Sequence, residues 1–296
     1  MLKRPSKDAD WGPIENLGPV INSSKDDSCS FIDTDGLSLY FNSNRSGGYG
    51  SYDIYVTTRA RKNDPWSRPV LLPLEINRVG SSASDTTPWI SPDGLELYFT
   101  SFRAGGYGFA DIYVATRATL GDPWQIPVNL GPAVNSPTTD YFPSLSPDGL
   151  ILLFSDHVQT VRAPRPGGHG AGDMWMIRRA TLSDPWGPAV NLGPQVNGSG
   201  DDVVPRLSPD GSTLYFGRKS EVGAWDYLQT PILPIVDFNA DGKVDLVDLV
   251  MLIDDWGTSK SVCDIGPMPW GDGEVDIEDL KVFMTYYEKE NPVVTP

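Results

Sequence analysis

The sequence predicts an all-β fold of the small propeller type, followed by a small helical segment rich in acidic residues. A unit of about 55 to 62 residues recurs four times before Pro231, and a tight turn in each copy places an acid at Asp35, Asp93, Asp148 and Asp210. Each copy contains short strand-like runs and no helical period, which is typical of the four-stranded blade of a β-propeller. From Pro231 onward the repeat is absent and the composition changes.

The composition of the 296 residues excludes two function classes. A net charge of −16 opposes binding to nucleic acid, whose phosphates require a basic surface. No run of about 18 apolar residues is present, so no membrane-spanning helix is predicted. The two cysteines, Cys29 and Cys263, form neither a disulfide framework nor a metal set. The segment from Pro231 on has 14 acidic and 4 basic side chains, which indicates cation binding or solubility.

The second copy, residues 84–131, shows the order of elements most clearly. Its Ser-Pro-Asp-Gly sequence ending at Gly94 predicts a tight turn, because Pro presets one backbone angle and Gly accepts a positive φ. The glycine-rich stretch Arg103–Gly108 predicts a hairpin between the second and third strands. The run from Leu95 alternates at period two, which predicts a half-buried strand. The four predicted strands are 87–91, 95–100, 111–116 and 124–130.

The two ends of the array are complementary. Residues 11–18 read as a fourth strand with no blade before them, while the last copy provides strands only at 203–208, 214–216 and 225–229. We expect the N-terminal strand to complete the last blade, which would close a ring of four four-stranded blades and remove an exposed sheet edge.

The recurring sequences Ser-Pro-Asp-Gly, Leu-Tyr-Phe-x-Ser-x-Arg (97–103) and Asp-Ile-Tyr-Val (111–114) resemble the TolB-type, WD-like β-propeller repeat family. The resemblance covers roughly residues 11–230 and is strongest in the second copy. It implies a propeller fold. For function it implies binding or scaffolding roles, including the alternative of a TolB-like periplasmic module that binds other proteins.

The acidic segment contains a 12-residue loop with oxygen-bearing groups at the spacing that calcium requires. Side-chain oxygens occupy positions 1, 3, 5, 9 and 12, a glycine occupies position 6, and position 7 offers a backbone carbonyl. The predicted Ca²⁺ ligands are Asp237, Asn239, Asp241, Lys243, Asp245 and Asp248. Leu246, Leu249, Val250, Ile253 and Trp256 follow at helical spacing, and Gly257 is expected to end that helix.

The use of Asp at position 12 and the lack of an entering helix make the loop similar to a type I dockerin. The second loop of such a module would begin at Asp264 and contains four additional residues in its front half. Its predicted ligands are Asp264, Asp272, Asp276 and Asp279, and a helix over 280–287 is expected after it. The resemblance implies a calcium-dependent contact with a cohesin-bearing scaffold protein.

These features predict a domain organisation and a location. We expect a disordered segment at 1–10, the propeller at 11–230, a linker at 231–236, the dockerin-like domain at 237–290 and a tail at 291–296. The dockerin resemblance implies secretion into the extracellular space. The start MLKRPSKDADWGP lacks the apolar core of a signal peptide. We therefore expect the natural start of the protein to lie upstream of Met1.

Four acids recur eight residues before the turn acids and open the predicted innermost strands. These are Asp27, Asp85, Asp140 and Asp202. Two interpretations are open: they line the channel mouth as a cation or ligand site, or each caps its local turn through backbone N–H groups. We also expect Arg45 and Arg103 to form ion pairs with Asp53 and Asp111 inside their blades.

The hairpins carry the remaining candidate site residues. Tyr49, Tyr107 and His169 occupy matching positions at the hairpin tips, where aromatic rings beside carboxylates are typical of a carbohydrate-binding face. The hairpin of the third copy is longer and contains both histidines, so Asp156, His157 and His169 are catalytic candidates. The alternative is a tolerated surface insertion.

The sequence thus favours an extracellular binding or scaffold propeller, attached to an assembly that degrades polysaccharides or lies at the cell surface. Its propeller face would bind a glycan or a protein. The alternative is a glycoside hydrolase, since the resemblance implies that dockerins accompany such enzymes and carboxylates are plentiful. No G-x-S-x-G, Walker loop, H-E-x-x-H or zinc spacing is present, which favours the binding protein.

Overall fold

The computed structural model describes residues 10, 12–80, 84–157, 165–179, 181–209, 211–219, 223–232, 236, 238–239, 243–258, 263–266 and 274–291. Four antiparallel sheets form a small four-bladed β-propeller, and two helices form a small helical part. The predicted fold class is confirmed. The chain comprises two compact units, one of Met1–Pro143 with Ser155–Gly167 and one of Ser144–Phe154 with Gly168–Pro296.

Each sheet follows the strand order of a propeller blade. The first contains β1 (Asp27–Ile32), β2 (Ser38–Ser43), β3 (Asp53–Thr58) and β4 (Val70–Leu71). The second contains β5 (Asp85–Ile90), β6 (Glu96–Ser101), β7 (Asp111–Thr116) and β8 (Val128–Asn129). The third contains β9 (Thr139–Leu145), β10 (Ile151–His157), β11 (Met174–Arg178) and β12 (Val190–Asn191). The fourth contains β13 (Asp202–Leu207), β14 (Thr213–Lys219) and β15 (Trp225–Pro231).

The middle strands are more buried than their alternating pattern predicts. From Leu97 to Ser101 every residue of β6 is buried, so the prediction of a half-buried strand is wrong. Leu97 and Phe99 belong to a core that also contains Ile54 of β3 and Ile90 of β5. Because both faces of the strand are covered, its polar positions are filled by small hydroxyl residues that hydrogen bond locally.

The predicted turn forms in the second blade as its residues dictate. The Asp93 carboxylate accepts a hydrogen bond from the Ser91 hydroxyl at 2.5 Å and from the Leu95 N–H at 2.9 Å. Gly94 has a φ of +74°, which an L side chain would disfavour. The matching Asp210 of the fourth blade lies outside the described residues.

A bulge recurs in the first strands. Register shifts interrupt the pairing of β1 with β2, β5 with β6 and β13 with β14. One non-glycine residue in each of the four first strands has a positive φ between 50° and 61°, namely Cys29, Thr87, Phe142 and Val204. The extra residue of a bulge increases local twist, so these repeated positions bend the innermost strand of each blade. The sequence pattern did not predict this feature.

The closing strands are shorter than predicted, and the last blade has three strands. β4, β8 and β12 each contain two residues, because proline lacks the N–H that a longer ladder requires. The order of the fourth sheet ends at β15, where Tyr227 is 87% exposed. Residues 12–22 contain no strand, and Trp11 lies outside the described residues. The predicted closing strand is therefore not part of the described sheets.

The C-terminal segment contains two helices, each starting at a capping box. α1 spans Leu246–Asp254 with Asp245 as N-cap, and α2 spans Ile277–Glu290 with Asp276 as N-cap. Their shared core includes Leu252 and Phe283, which are fully buried. The predicted second helix is confirmed, although it begins three residues earlier and ends three residues later. Within the described residues, neither helix has the length and apolarity needed to cross a bilayer.

Candidate functional site

Each acid that opens a first strand is bound by an arginine and by a backbone N–H of its own turn. The ion pairs are Arg45–Asp27 at 2.6 Å, Arg103–Asp85 at 2.9 Å, Arg165–Asp140 at 2.6 Å and Arg218–Asp202 at 2.5 Å. The second carboxylate oxygen accepts an N–H at 2.6, 2.8, 2.7 and 2.6 Å from Ser23, Arg78, Ser136 and Gly198, respectively. This geometry matches the turn-capping interpretation of the four acids, because each carboxylate is neutralised by an arginine and accepts a backbone N–H of its turn.

The same arginines also connect neighbouring segments of the repeat. One guanidinium nitrogen of each donates to the backbone carbonyl at the end of the preceding closing segment, which belongs to Ile21, Ile76, Val134 and Val196. We call each set of arginine, first-strand acid and carbonyl an arginine clamp. A clamp joins one closing segment to the first strand of the following blade, so its first role is structural.

The prediction that Arg45 and Arg103 pair with Asp53 and Asp111 is wrong, because both arginines serve the clamps. Asp111 instead accepts the N–H groups of Tyr107 and Gly108 at 2.6 and 2.9 Å, and Asp53 binds its hairpin in the same way. A Cβ on Gly106 would lie 1.7 Å from Asp111 Oδ2. The glycine-rich hairpins are therefore shaped around these third-strand acids.

The third blade obtains its clamp arginine from the long hairpin. Arg165, which is 9% exposed, lies in that hairpin and binds Asp140. Its Nε also lies 3.8 Å from Asp156 Oδ2. Asp140 is fully buried, and this burial raises its pKa to about 7 against the opposing charge of Arg165. The long hairpin thus supplies a structural contact that the other blades obtain from residues just after β2 and β6 or within β14.

The three catalytic candidates lie in different surroundings. Asp156 is 3% exposed and lies beside the Arg165 guanidinium. His157 is half-buried at the end of β10, and His169 is exposed in the hairpin, where its backbone N–H donates to Asp173 at 2.7 Å. The structure therefore brings Asp156 together with Asp140 and Arg165.

Aromatic side chains are exposed at the hairpins of the first unit. Tyr49 is 37% exposed and Tyr107 is 50% exposed, as a binding face requires. Sequence reasoning missed a second group, Phe102, Phe109 and Tyr141, which we call the aromatic cluster. The ring of Phe102 lies 5.5 Å from that of Phe109 and 5.8 Å from that of Tyr141. In the first blade these positions are Asn44, Ser51 and Ser28, so the departure from the repeat was a readable signal.

The first calcium loop is organised by the acid at its last position. Asp248 has no exposed surface, and its Oδ1 accepts the N–H groups of Phe238 and Asn239 at 2.8 and 3.3 Å. Its Oδ2 accepts the N–H of Asp245 at 2.9 Å. These bonds hold the beginning and the end of the loop against one buried carboxylate.

The second loop repeats this arrangement. Asp279 is also fully buried, and its Oδ1 accepts the N–H groups of Ile265 and Gly266. Its Oδ2 accepts the N–H of Asp276 at 2.7 Å. A Cβ on Gly266 would lie 2.6 Å from the backbone of Glu278, so this loop has a glycine where the first loop has Asn239. At this position the second loop therefore offers no side-chain oxygen.

The predicted calcium ligands are only in part among the described residues. Asn239, Lys243, Asp245 and Asp248 of the first loop are described, as are Asp264, Asp276 and Asp279 of the second. The predicted ligands Asp237, Asp241 and Asp272 lie outside the described residues, and no group of three candidate metal ligands occurs within them. Buried carboxylates at the twelfth position of both loops are the donors that Ca²⁺ favours.

The outer surface of α1 carries an apolar stripe. Of the residues predicted at helical spacing, Leu249 packs into the helical core, while the others face outward. We call the exposed residues the α1 stripe. They are Leu246 (61% exposed), Val247 (53%), Val250 (54%), Ile253 (55%) and Trp256 (45%). A contiguous apolar surface on a short helix is typical of a site that another protein covers.

Comparisons with known proteins give only distant likenesses. No family model matches the chain, and no curated protein matches it. Among solved structures, TolB from Acinetobacter baumannii is 13% identical to this chain with a TM-score of 0.47. The match covers 73% of this chain and 46% of the TolB chain. An α-L-arabinofuranosidase from Lactobacillus brevis is 13% identical with a TM-score of 0.48, and the match covers 70% of this chain and 72% of the enzyme. An endo-arabinase from Bacteroides thetaiotaomicron is 16% identical with a TM-score of 0.45, covering 70% and 74%. The chain thus spans less than half of that TolB, and these likenesses carry no functional argument.

Proposed function

We propose that the chain is an extracellular binding protein whose C-terminal segment attaches it, when calcium is bound, to a cohesin-bearing scaffold. The observation that carries this proposal is the duplicated loop geometry. Asp248 and Asp279 occupy the same loop position, are equally buried and accept the same three backbone N–H bonds. A merely acidic, solvated pair of helices would not bury two carboxylates in this way.

Calcium would supply the positive charge that this segment lacks. The chain from Pro231 on has a net charge of −10, and the loop acids are concentrated at the starts of α1 and α2. Helix N-termini and backbone N–H groups stabilise part of this negative charge. One Ca²⁺ per loop, each with six to eight oxygen ligands, would neutralise a further part of this charge, with Asp248 and Asp279 as the twelfth-position ligands.

The α1 stripe is the surface that we assign to the scaffold contact. It begins one residue after Asp245, so binding of calcium would fix the helix that carries it. Its apolar residues lie beside acidic loops, which matches a partner surface with an apolar centre and a polar rim. The resemblance to dockerins identifies that partner as a cohesin module.

Substitutions in the α1 stripe test the scaffold contact. We expect Val250→Asp and Ile253→Asp to lower affinity for an immobilised type I cohesin module by at least about 30-fold, because each buries an unpaired charge at the interface centre. Surface plasmon resonance in 1 mM Ca²⁺ measures the effect. Lys289→Asp, on the other helix, is the control for added negative charge and should bind normally.

Two results would contradict the assignment of the stripe. Binding that persists unchanged in excess chelator would remove the calcium requirement. Equal affinity of the Val250→Asp variant and the parent chain would place the contact elsewhere. Calorimetric calcium titration of each variant confirms that the substitution leaves the loops intact.

The aromatic cluster is the surface that we assign to a glycan on the propeller. Phe109 is 52% exposed and packs edge-on against Phe102, so a flat aromatic face is held in place beside the Tyr107 hairpin. Such rings stack on the apolar faces of sugars. We expect Phe109→Ala to weaken binding to an arrayed polysaccharide panel about tenfold, whereas Ile126→Ala, at a 78% exposed position of the same blade, should not.

The glycan assignment and the hydrolase alternative make different predictions on the same panel. Hydrolysis requires two accessible carboxylates, whereas Asp140 and Asp156 are buried beside one guanidinium. We therefore expect binding without release of reducing sugar. Release that disappears in Asp156→Ala and His157→Ala variants would favour the hydrolase, and identical binding by Phe109→Ala would exclude the aromatic cluster.

A further inference from the structure

An ion pair connects the predicted second calcium loop to the third blade. The Arg178 guanidinium at the end of β11 lies 3.9 Å from Asp264 Oδ2, the first position of that loop. The Asp264 side chain is 3% exposed, whereas that of Arg178 is 43% exposed. A cationic partner stabilises a carboxylate this buried, while the long and partly exposed arginine side chain retains enough freedom to leave.

Arg178 departs from the repeat at this point. The matching residues of the first and second blades are Thr58 and Thr116, both exposed at the ends of β3 and β7. The backbone carbonyl at this position accepts an N–H at 2.8 Å in all three blades, from Ser67, Gln125 and Gly187. Blade geometry therefore uses only the backbone here, and the arginine is not needed to build the strand.

Among the described residues, charges from two elements face Asp264. Asp279 of α2 shares the loop with it and binds the adjacent Ile265 and Gly266 N–H groups, which adds negative charge. Arg178 of β11 provides the positive charge. At the position of Asn239 in the first loop the second loop has Gly266, which offers no side-chain oxygen. Among the described positions the second loop thus has the weaker ligand set, which makes it the more sensitive to a competing cation.

We infer that Arg178 and calcium compete for Asp264, so that filling of the second loop releases this loop from the third blade. This inference rests on the proposed calcium binding. In the calcium-free chain the guanidinium neutralises Asp264 and ties the loop to β11. Because the coupling is reciprocal, calcium weakens the tie by the same factor that the tie weakens calcium binding.

Calorimetric calcium titration of the full chain tests the competition. Arg178→Thr installs the residue of the other blades and should tighten the weaker calcium site about two- to fivefold, the range of a partly exposed ion pair. Arg178→Lys retains the charge and should remain close to the parent. Arg68→Thr, at an exposed position in the first blade, controls for the change in net charge. Unchanged or weaker affinity in Arg178→Thr overturns the inference.

A double-mutant cycle provides the second readout. The melting-temperature shifts of Arg178→Thr and Asp264→Asn should be non-additive in chelator and additive in saturating calcium. Additive shifts in chelator would show that the two side chains do not interact and would also overturn the inference. If no variant binds calcium at all, the proposed function fails. If all variants bind it with equal affinity, only the competition fails.

Discussion

Removal of calcium should open the hydrogen bonds of α1 and α2 while leaving the blades protected. With dissociation constants near the micromolar range of sensor loops, 1 mM Ca²⁺ stabilises each loop by about 4 kcal/mol. Without the cation, the acids around Asp245 and Asp248 repel one another at the helix start. Hydrogen exchange of the full chain should show protected amides in 246–254 and 277–290 with calcium, and fast exchange in excess chelator.

Single substitutions separate a specific loop from general acidity. Asp248→Asn should abolish the calcium-induced protection of α1, because it removes the twelfth-position carboxylate. Asp254→Asn removes the same charge from an exposed position at the end of α1 and should keep the protection. Equal exchange of α1 amides with and without calcium in the parent chain would contradict the loop assignment.

Arg103→Met should destabilise the chain by about 3 to 5 kcal/mol, since it leaves a buried carboxylate without its counter-ion. The Asp85 side chain is 1% exposed and that of Arg103 is 8% exposed. The guanidinium also lies over the rings of Phe99 and Tyr113, at 5.2 and 4.7 Å. Chemical denaturation of the full chain measures the loss.

The clamp supplies its own controls. Arg45→Met acts on a more exposed pair, at 16% and 8%, and should cost less. The double variant Asp85→Asn with Arg103→Met removes both charges and should recover part of the loss. If the losses in free energy of unfolding caused by Asp85→Asn and by Arg103→Met add up in the double variant, the carboxylate and the guanidinium do not act as a pair.

The local chemistry of the repeat was readable from the sequence, because each part depends on neighbouring residues. The turn at Asp93 and Gly94 forms through hydrogen bonds within a few residues, and helices were expected after both loops, where α1 and α2 form. The N-cap roles of Asp245 and Asp276, which were predicted only as calcium ligands, were not predicted. The loop spacing likewise placed Asp248 and Asp279 at one equivalent position. These predictions required no knowledge of which strands pack together.

The clamps could not be read from the sequence, because their arginines come from different places. Arg45 and Arg103 follow β2 and β6, Arg218 lies within β14, and Arg165 comes from the long hairpin of the third blade. Only the fold shows that these side chains reach one equivalent acid. The pairing with Asp53 was therefore mispredicted, since proximity in sequence is not proximity in space.

Two further features depended on tertiary context. The bulge at Thr87 and its counterparts breaks a run that otherwise alternates as a regular strand. The exposed stripe on α1 has the spacing of a buried helical face, and burial of Leu252 and Asp248 on the other side shows which face is covered. The spacing of apolar residues shows that a helix has an apolar face, but it does not show which surface packs against that face.

Calorimetric titration of the full chain with Ca²⁺ tests the central claim most directly. The calcium loops predict two bound ions per chain, with Asp248→Asn and Asp279→Asn each removing one. The absence of calcium-dependent heat at millimolar Ca²⁺, or a stoichiometry unchanged by both substitutions, would contradict the claim that the C-terminal segment is a calcium-binding attachment module.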